Sequence, residues 1–443
     1  MGSLLPMIAA GAALGVAFTL SPLTVLVLTA IAVLLWRVSR KLPADECRWF
    51  LRLFGAALLL RVAAIGVLFL VSPHDSQGSA LLFGDEAYAL ARSWRVRNVL
   101  LDIPQLKYDY VIAYEFYGKN TFLYVMSYLQ VLAGPAPYGL RVLNAAMYVG
   151  AVSILFRITR AGFGAFTAFA GALTLLFLPT LFFWSISLLK EPFYFVLTAA
   201  TLAAVVDIVQ TRSWRRRTLA AAIFAVSLFL LRDLRTGAVA LVVAGIGMGF
   251  IGAYVVARRW RIAVAAGVAA LAMASVFVVP ALQRRAIAAV DDAAATQSGH
   301  VFTVGHGYKL LDEGYYVVPG IPTFSLRPDE AARYVVRAVT AYLFVPLPWQ
   351  IATRSEMAYL PEQLLWYALV VLSLFGVAEA MKRDRLLGSL LISYILPTAA
   401  VVALTTGNVG TLIRHRTLIV PYLVWISALG FVSLVQRIVP NDR

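Results

Sequence analysis

The chain has 443 residues, of which 61% are hydrophobic, and a formal net charge of +16. Its mean hydropathy of +0.82 excludes an ordinary soluble globular protein. The positive charge does not indicate nucleic-acid binding, because the basic residues lie in short loops between apolar segments and form no single soluble patch.

Long apolar segments, separated by short charged or Pro/Gly-rich connections, recur along the whole chain. This pattern predicts an all-α, polytopic membrane protein with about twelve transmembrane helices. The predicted spans are residues 3–20, 21–37, 49–72, 138–156, 163–183, 192–210, 218–231, 237–257, 262–280, 363–380, 386–404 and 417–436. The shorter apolar run 121–133 is interpreted as a re-entrant or interfacial helix.

Every second connection is basic, as in residues 212–217 and 258–261. The positive-inside rule assigns these connections, and with them both termini, to the cytoplasm. The start of the chain lacks a basic region and a small-residue cleavage site, so a retained first helix is predicted in place of a cleaved signal peptide.

We expect one integral membrane domain, with interfacial helices in two large outer loops. Its predicted parts are two N-terminal helices in residues 1–48, a core in 49–280 with an outer loop over 73–137, a second outer loop over 281–362, and C-terminal helices in 363–443.

Mixed, clustered charges lie at the predicted outer ends of the spans, where topology does not require them. The clusters are Asp85-Glu86, Lys190-Glu191, Arg232-Asp233-Arg235 and Arg414-His415-Arg416. An ionisable side chain at the edge of a bilayer is costly unless it pairs, snorkels or faces water, so each cluster is a candidate functional site. Because all four belong to one predicted face, we expect them to line one outward-facing cavity.

The acidic pair Asp85 and Glu86 opens a basic, aromatic amphipathic run, and these two carboxylates are the candidate catalytic residues. Tyr88 and Arg92 follow at helical spacing and are candidate substrate-binding residues. The alternative is structural: in the sequence GDEAYALAR the acids also suit the start of a helix.

Two of the other three clusters also have structural alternatives. Pro192 suits the first turn of a helix and Glu191 suits its positive end, which would explain the charges at 190 and 191. Arg232 and Arg235 would belong to an ordinary turn if they paired with Asp233. The three potential cations Arg414, His415 and Arg416 instead need an anionic partner. Arginine binds phosphate oxygens bidentately, so a lipid diphosphate at the membrane surface is the expected ligand.

No metal site is predicted. The chain has a single cysteine, Cys47, which excludes an internal disulfide and a cysteine-based metal site. His74, His300 and His306 have no metal-ligand spacing and are interpreted as solvent-facing or locally hydrogen-bonded. A divalent metal is therefore not supported, and no cofactor is expected.

Several short motifs resemble the membrane glycosyltransferases of the GT-C class, which in bacteria include polyprenyl-phosphate-dependent mannosyl- and arabinosyltransferase-like proteins. The motifs are Gly84-Asp85-Glu86-Ala87-Tyr88, Lys119-Asn120-Thr121-Phe122-Leu123-Tyr124, Gly134, and Arg141-Val142-Leu143-Asn144. The resemblance is best over residues 49–210, and we expect no sizeable soluble C-terminal domain such as the larger members have.

This resemblance implies an inverting glycosyltransferase in a bacterial inner membrane, with its active site on the outer side. Asp85 would be the general base that takes a proton from the acceptor hydroxyl. The donor would be a polyprenyl-linked sugar, and the acceptor an envelope glycan, lipid or protein.

Two other functions remain open. An O-antigen-type oligosaccharide polymerase or ligase would use the outer arginines to hold a lipid diphosphate, with less dependence on the acidic pair. A transporter or flippase of a lipid-linked glycan would need charges deep within several helices, whereas most predicted spans here are uncharged in their middles, with Arg61 as the main exception.

Overall fold

The computed structural model describes residues 4–72, 82–115, 120–316, 325–351 and 354–438. Within these residues the protein is all-helical, and the single β-type contact is an isolated bridge between Gly307 and Asn408. The predicted all-α, polytopic architecture is therefore confirmed. His74 and Lys119, which the sequence analysis named, lie outside the described residues.

Nineteen α-helices are described. In chain order they are α1 Leu4–Thr19, α2 Pro22–Ser39, α3 Ala44–Val71, α4 Gly84–Leu100, α5 Lys107–Tyr114, α6 Thr121–Ala133, α7 Pro137–Phe163, α8 Ala165–Phe177, α9 Pro179–Ile186, α10 Glu191–Gln210, α11 Trp214–Arg232, α12 Ala238–Val256, α13 Arg259–Val278, α14 Pro280–Val301, α15 Pro328–Phe344, α16 Arg354–Arg383, α17 Arg385–Thr405, α18 Val409–Arg416 and α19 Val420–Ile438.

Nine of the described helices are long and apolar enough to cross a membrane, and α8 with α9, bent by 62° at their junction, would make a tenth. The predicted count of twelve is not confirmed. Predicted span 3–20 corresponds to α1, whose apolar part is short, and span 218–231 to α11, whose 19 residues include four arginines. Many apolar helices nonetheless indicate an integral membrane protein.

The chain divides into two compact units, Met1–Ala240 and Leu241–Arg443, and each is described by itself. In the first unit, α7 and α10 run antiparallel to α3 and α11. Tyr138, in the first turn of α7, donates a hydrogen bond to Ser72 at the end of α3 over 2.7 Å. At the opposite end, Arg157 of α7 pairs with Asp207 of α10 over 2.7 Å. We call the end where α7 and α10 begin the Glu191 end, and the other the Asp207 end.

The break between α8 and α9 has a local cause. Pro179 lacks an N–H group, so the carbonyl of Leu175 has no intrahelical donor. The hydroxyl of Tyr148 donates to that carbonyl over 2.7 Å. Beside it, Arg61 Nη2 donates to the carbonyl of Leu176 over 2.9 Å. The predicted span 163–183 is thus two short helices, and side chains of α7 and α3 bond the buried carbonyls that the break leaves without intrahelical donors.

Arg61, the charged residue in the middle of a predicted span, is fully buried. Besides Leu176 it contacts Ser185 Oγ through Nε at 2.8 Å and its guanidinium lies 5.0 Å from the ring centre of Tyr148. Polar atoms in an apolar environment require such partners. These contacts explain the burial of Arg61, which stabilises the bent helix pair α8 and α9.

In the second unit, α16 and α19 are in very close contact along glycine positions. A Cβ atom built at Gly376 would lie 1.9 Å from the carbonyl oxygen of Ile426, and one at Gly430 would lie 2.0 Å from that of Leu372. Small residues allow this approach of two backbones, which is a common basis of helix association in membranes.

The predicted outer loop 281–362 contains α14 and α15, which share a small hydrophobic core of their own. Tyr334 and Ala338 of α15 are fully buried there with Ala294 of α14. The predicted outer loop 73–137 contains α4, α5 and α6. Folded helices in both segments agree with the sequence analysis, and their position at a membrane interface stays a prediction.

Candidate functional site

The first turn of α4 gives the two candidate carboxylates opposite environments. Asp85 is exposed, whereas Glu86 is fully buried. Consecutive residues of a helix point about 100° apart, so two adjacent acids readily face different surroundings. Phe83, in extended conformation before the helix, stacks on Trp184 with ring centres 4.2 Å apart and holds the start of α4 against α9.

Glu86 is paired with a buried arginine. Arg141 Nη2 donates to Glu86 Oε2 over 2.7 Å, and neither side chain is exposed. Burial raises the pKa of the Glu86 carboxyl above its ordinary value, while the charge of Arg141 and the backbone N–H groups of Leu188 and Leu82 oppose that rise. The pair is therefore an internal connection between α4 and α7.

The same part of α7 also holds the turn that precedes α10. Arg141 Nη1 donates to the carbonyl of Ile186 over 2.9 Å. Asn144 Nδ2 donates to the carbonyls of Ser187 and Leu189 over 2.6 and 2.8 Å. We call Glu86, Arg141 and Asn144 the Glu86 clamp. It supplies donors to carbonyls that an uncoiled, buried turn would otherwise leave unbonded.

Lys190 and Glu191 lie directly after this turn. Helix α10 begins at Glu191 with Pro192 in its first turn, which confirms the predicted helix start. Glu191 is buried and Lys190 is half-buried, and both have interaction partners. These two charges therefore lie at the Glu191 end, next to the turn that the clamp bonds, and the outward-facing cavity stays a prediction.

The side chains of Arg92 and Tyr88 are hydrogen-bonded to each other, although Arg92 is directed into the protein. Arg92 is buried, and Nη1 donates to the Tyr88 hydroxyl over 3.2 Å, while Nη2 donates to the carbonyl of Glu115. The hydroxyl of Tyr88 in turn donates to Glu115 Oε2 over 3.2 Å. Their predicted shared face is confirmed. In this structure Arg92 connects α4 to the end of α5, and the partly exposed Tyr88 is the more accessible of the two.

Arg232 ends α11 and Arg235 follows it, both at the Glu191 end, because α11 packs antiparallel to α10 after the short connection 211–213. Arg232 is exposed and Arg235 is half-buried. Among the residues that the structure describes, neither forms an ion pair with Asp233 or another acid. The ion pair with Asp233, which the interpretation as an ordinary turn requires, is therefore not observed.

In the second unit, Arg416 is fully buried and donates hydrogen bonds to carbonyl groups at the end of α15. Its Nη1 donates to Gln363 Oε1 over 2.8 Å, and Nη2 donates to the carbonyls of Tyr342 and, over 2.7 Å, Val345. Its guanidinium lies 4.8 Å from the ring centre of Trp366.

These bonds belong to a complete cap. The last carbonyls of a helix have no intrahelical donors. Trp366 Nε1 donates to the carbonyl of Leu343 over 3.0 Å, and the Tyr367 hydroxyl donates to that of Phe344 over 2.7 Å. With Arg416 on the carbonyls at 342 and 345, all four final positions are bonded, so Arg416 has a structural role that the sequence analysis did not anticipate.

Arg414 and His415 are half-buried and have other partners. The ring of His415 lies 6.3 Å from that of His300, whose Nδ1 is 2.7 Å from the carbonyl of Thr405. This agrees with the local hydrogen bonding expected for His300. Within the described ranges, no group of three or more metal-ligating side chains comes together.

Arg141 and Asn144 were not predicted as site residues, although both occur in a motif that resembles the GT-C glycosyltransferases. An arginine inside a predicted span was the available signal, because such a charge requires a specific partner. The partner itself, Glu86, lies 55 residues away and is apparent only in the folded chain.

No protein-family model, curated protein or solved structure matches this chain.

Proposed function

We propose that the protein is a membrane glycosyltransferase that moves a sugar from a polyprenyl-(di)phosphate-linked donor to an envelope glycan, lipid or protein acceptor. The observation on which the proposal depends is the contrast in the first turn of α4. Asp85 is exposed at the Glu191 end, while its neighbour Glu86 is fixed by Arg141. A general base needs a defined position next to its substrate, and a buried neighbour bonded to a second helix supplies one.

In this proposal Asp85 is the catalytic residue and Glu86 a positioning residue. Asp85 takes the proton of the acceptor hydroxyl, and the oxygen of that hydroxyl forms a bond to the anomeric carbon. The bond from that carbon to the phosphate oxygen of the donor breaks, and the electron pair leaves with the phosphate. Attack opposite to the leaving group inverts the anomeric carbon.

Arg232 and Arg235 are the proposed phosphate ligands in the first unit. They lie at the Glu191 end, and no described acid pairs with them. Arginine stabilises phosphate oxygens through charge-assisted bonds, and a cation that is not already paired can do so as the leaving group gains charge. In the second unit, which is described by itself, Arg414 and His415 are the cations proposed to bind phosphate.

The proposed topology has twelve crossings and cytoplasmic termini, with the Glu191 end on the outer side of a bacterial inner membrane. A cysteine introduced at exposed Arg232 should then react with a membrane-impermeant maleimide in intact cells, whereas one introduced at exposed Arg215 should react only after permeabilisation. The reverse labelling would contradict this orientation.

The decisive experiment measures transfer by purified, reconstituted protein from polyprenyl-phosphate-linked sugars, with products identified by mass spectrometry. Asp85→Asn should reduce transfer by about 10²- to 10⁴-fold, the usual contribution of a general base. The matched control is Asp292→Asn, which changes an exposed aspartate of α14. It should transfer at the wild-type rate.

A polymerase or ligase gives a different pattern with the same variants. If Arg232→Gln and Arg414→Gln abolish the product and Asp85→Asn does not, the polymerase is favoured and Asp85 is not the base. If labelled lipid crosses the membrane of reconstituted vesicles and no covalent product forms, the protein is a transporter and the proposed function is wrong.

A further inference from the structure

A groove at the Asp207 end of the first unit has features that the proposed transfer reaction does not use. It encloses about 500 Å³ between α2, α7, α10 and α11. Its walls are largely apolar and include Leu34, Val38, Ile154, Leu219 and Ile223. Leu219 and Ile223 are themselves exposed, so the groove is open along the side of the unit.

Cations surround this groove. Its lining includes Arg37, Lys41, Arg157 and Arg216 but only one carboxylate, that of Asp207. Arg157 and Asp207 pair over 2.7 Å and neutralise each other. Arg37, Lys41 and Arg216 are exposed, and in the described part of the chain none of the three forms an ion pair. Three positive charges therefore lie uncompensated beside an apolar channel.

We propose that this groove binds one anionic phospholipid, whose phosphate contacts Arg37, Lys41 and Arg216 and whose acyl chain lies against Leu219 and Ile223. The positive-inside rule explains basic residues near a membrane surface, but it does not require an apolar groove between them. A basic pocket between transmembrane helices is a known mode of anionic headgroup binding. The combination of an exposed apolar wall with a cationic end matches a lipid and no fully soluble phosphate compound.

This lipid site is separate from the candidate catalytic site. Asp207 follows Glu191 by sixteen positions in α10, which at 1.5 Å per residue is about 24 Å. The two ends of one helix thus have different assigned ligands. A lipid held here would join α2 to α10 and α11 and stabilise the unit without taking part in transfer.

The test is native mass spectrometry of the full chain in detergent, titrated with dioleoylphosphatidylglycerol or with dioleoylphosphatidylcholine. The wild type should retain the anionic lipid preferentially. The triple variant Arg37→Gln/Lys41→Gln/Arg216→Gln should lose roughly 100- to 200-fold in affinity for it, since each cation near a lipid phosphate contributes about fivefold and the three contributions multiply. The matched control removes three exposed cations elsewhere, with Arg284→Gln/Arg285→Gln/Arg385→Gln, and should bind as the wild type does.

A second variant tests the apolar wall with every charge in place. Leu219→Trp should obstruct the groove and weaken retention of the anionic lipid, and the protein can be checked for a monodisperse, helical state beforehand. Soluble sn-glycerol 1-phosphate should not displace the lipid.

Three results would overturn the proposal. The first is that the wild type shows no preference for the anionic lipid. The second is that the triple variant and its charge-matched control lose equal affinity for that lipid. The third is that glycerol phosphate displaces the lipid while Leu219→Trp retains it as the wild type does. If the triple variant does not fold, the preference of the wild type for the anionic lipid and the retention of that lipid by Leu219→Trp test the proposal.

Discussion

Arg141 Nη2 donates a hydrogen bond to Glu86 Oε2 over 2.7 Å, between two side chains that are both fully buried. A buried ion pair is not in itself strong evidence of a stabilising contribution, because desolvation of two charges offsets their attraction. Arg141 has a second task, however, since it also bonds the carbonyl of Ile186. The pair therefore determines where the start of α4 and the turn before α10 lie.

Removal of Arg141 should reveal this role. Arg141→Met removes the guanidinium that bonds both the Glu86 carboxylate and the Ile186 carbonyl, and we expect a loss of about 3 kcal/mol in the free energy of unfolding at neutral pH. The measurement is denaturant unfolding of the purified protein in detergent, followed by circular dichroism. The double variant Glu86→Gln/Arg141→Met should recover part of the loss, because it contains no buried carboxylate. Equal stability of the single and double variants would exclude an electrostatic coupling.

The same variant should have a characteristic pH dependence. Arg141 opposes the rise in the pKa of Glu86, so in Arg141→Met that pKa lies still further above its ordinary value. A carboxyl with a raised pKa in the folded state contributes stability below its unfolded-state pKa, and this is lost as pH rises through the folded-state pKa. The stability deficit of Arg141→Met should therefore be larger at about pH 8 than at about pH 5. A deficit that does not change with pH would contradict the assignment.

Local sequence signals located the helices but not their side-chain partners. The start of α10 was predictable because Pro192 and Glu191 satisfy the requirements of a helix N-terminus within one turn. The pairing of Glu86 with Arg141 was not, since it depends on how α4 packs against α7. The bend after Leu178 did have a local signal, Pro179 within an apolar run, which the count of spans did not use.

The cluster at Arg414, His415 and Arg416 illustrates the same limit. Three adjacent basic residues were treated as one site, but a helix directs successive side chains to different sides. Arg416 is buried against α15, whereas Arg414 and His415 remain half-buried. Only the packing of the folded chain reveals which of the three is structural.

The bend between α8 and α9 should depend on its two donors. Tyr148→Phe removes the hydroxyl that bonds the carbonyl of Leu175, and an unbonded buried carbonyl costs about 1–3 kcal/mol. Arg61→Leu removes the donor to the carbonyl of Leu176 and to Ser185, and we expect a loss of about 2–4 kcal/mol. Unfolding in detergent provides both values. Because both donors contact the same helix end, their effects should not be additive, and strict additivity would argue against a shared role.

Arg416 and Arg414 should respond differently to substitution. Arg416→Lys keeps the charge but replaces a planar group with several donors by one ammonium, so the cap of α15 cannot be completed. We expect a loss of about 2 kcal/mol in the free energy of unfolding. Arg414→Gln, at a half-buried position outside this cap, should cost less stability than Arg416→Lys and should reduce transfer. A stable Arg416→Lys variant would mean that the cap is not important for the fold.

The contact between α16 and α19 gives the last prediction. Because a Cβ at Gly376 would lie 1.9 Å from the Ile426 carbonyl oxygen, which is part of a helix backbone and cannot rotate away, Gly376→Ala requires the two helices to separate. We expect a loss of more than about 2 kcal/mol, as for overpacked interiors, measured by thermal unfolding in detergent. The matched control is Gly267→Ala in α13, where no neighbouring atom lies within 4 Å of the built Cβ. It should be neutral or slightly stabilising, since alanine favours a helix over glycine by about 1 kcal/mol. Similar effects of the two substitutions would mean that α16 and α19 are not in backbone contact.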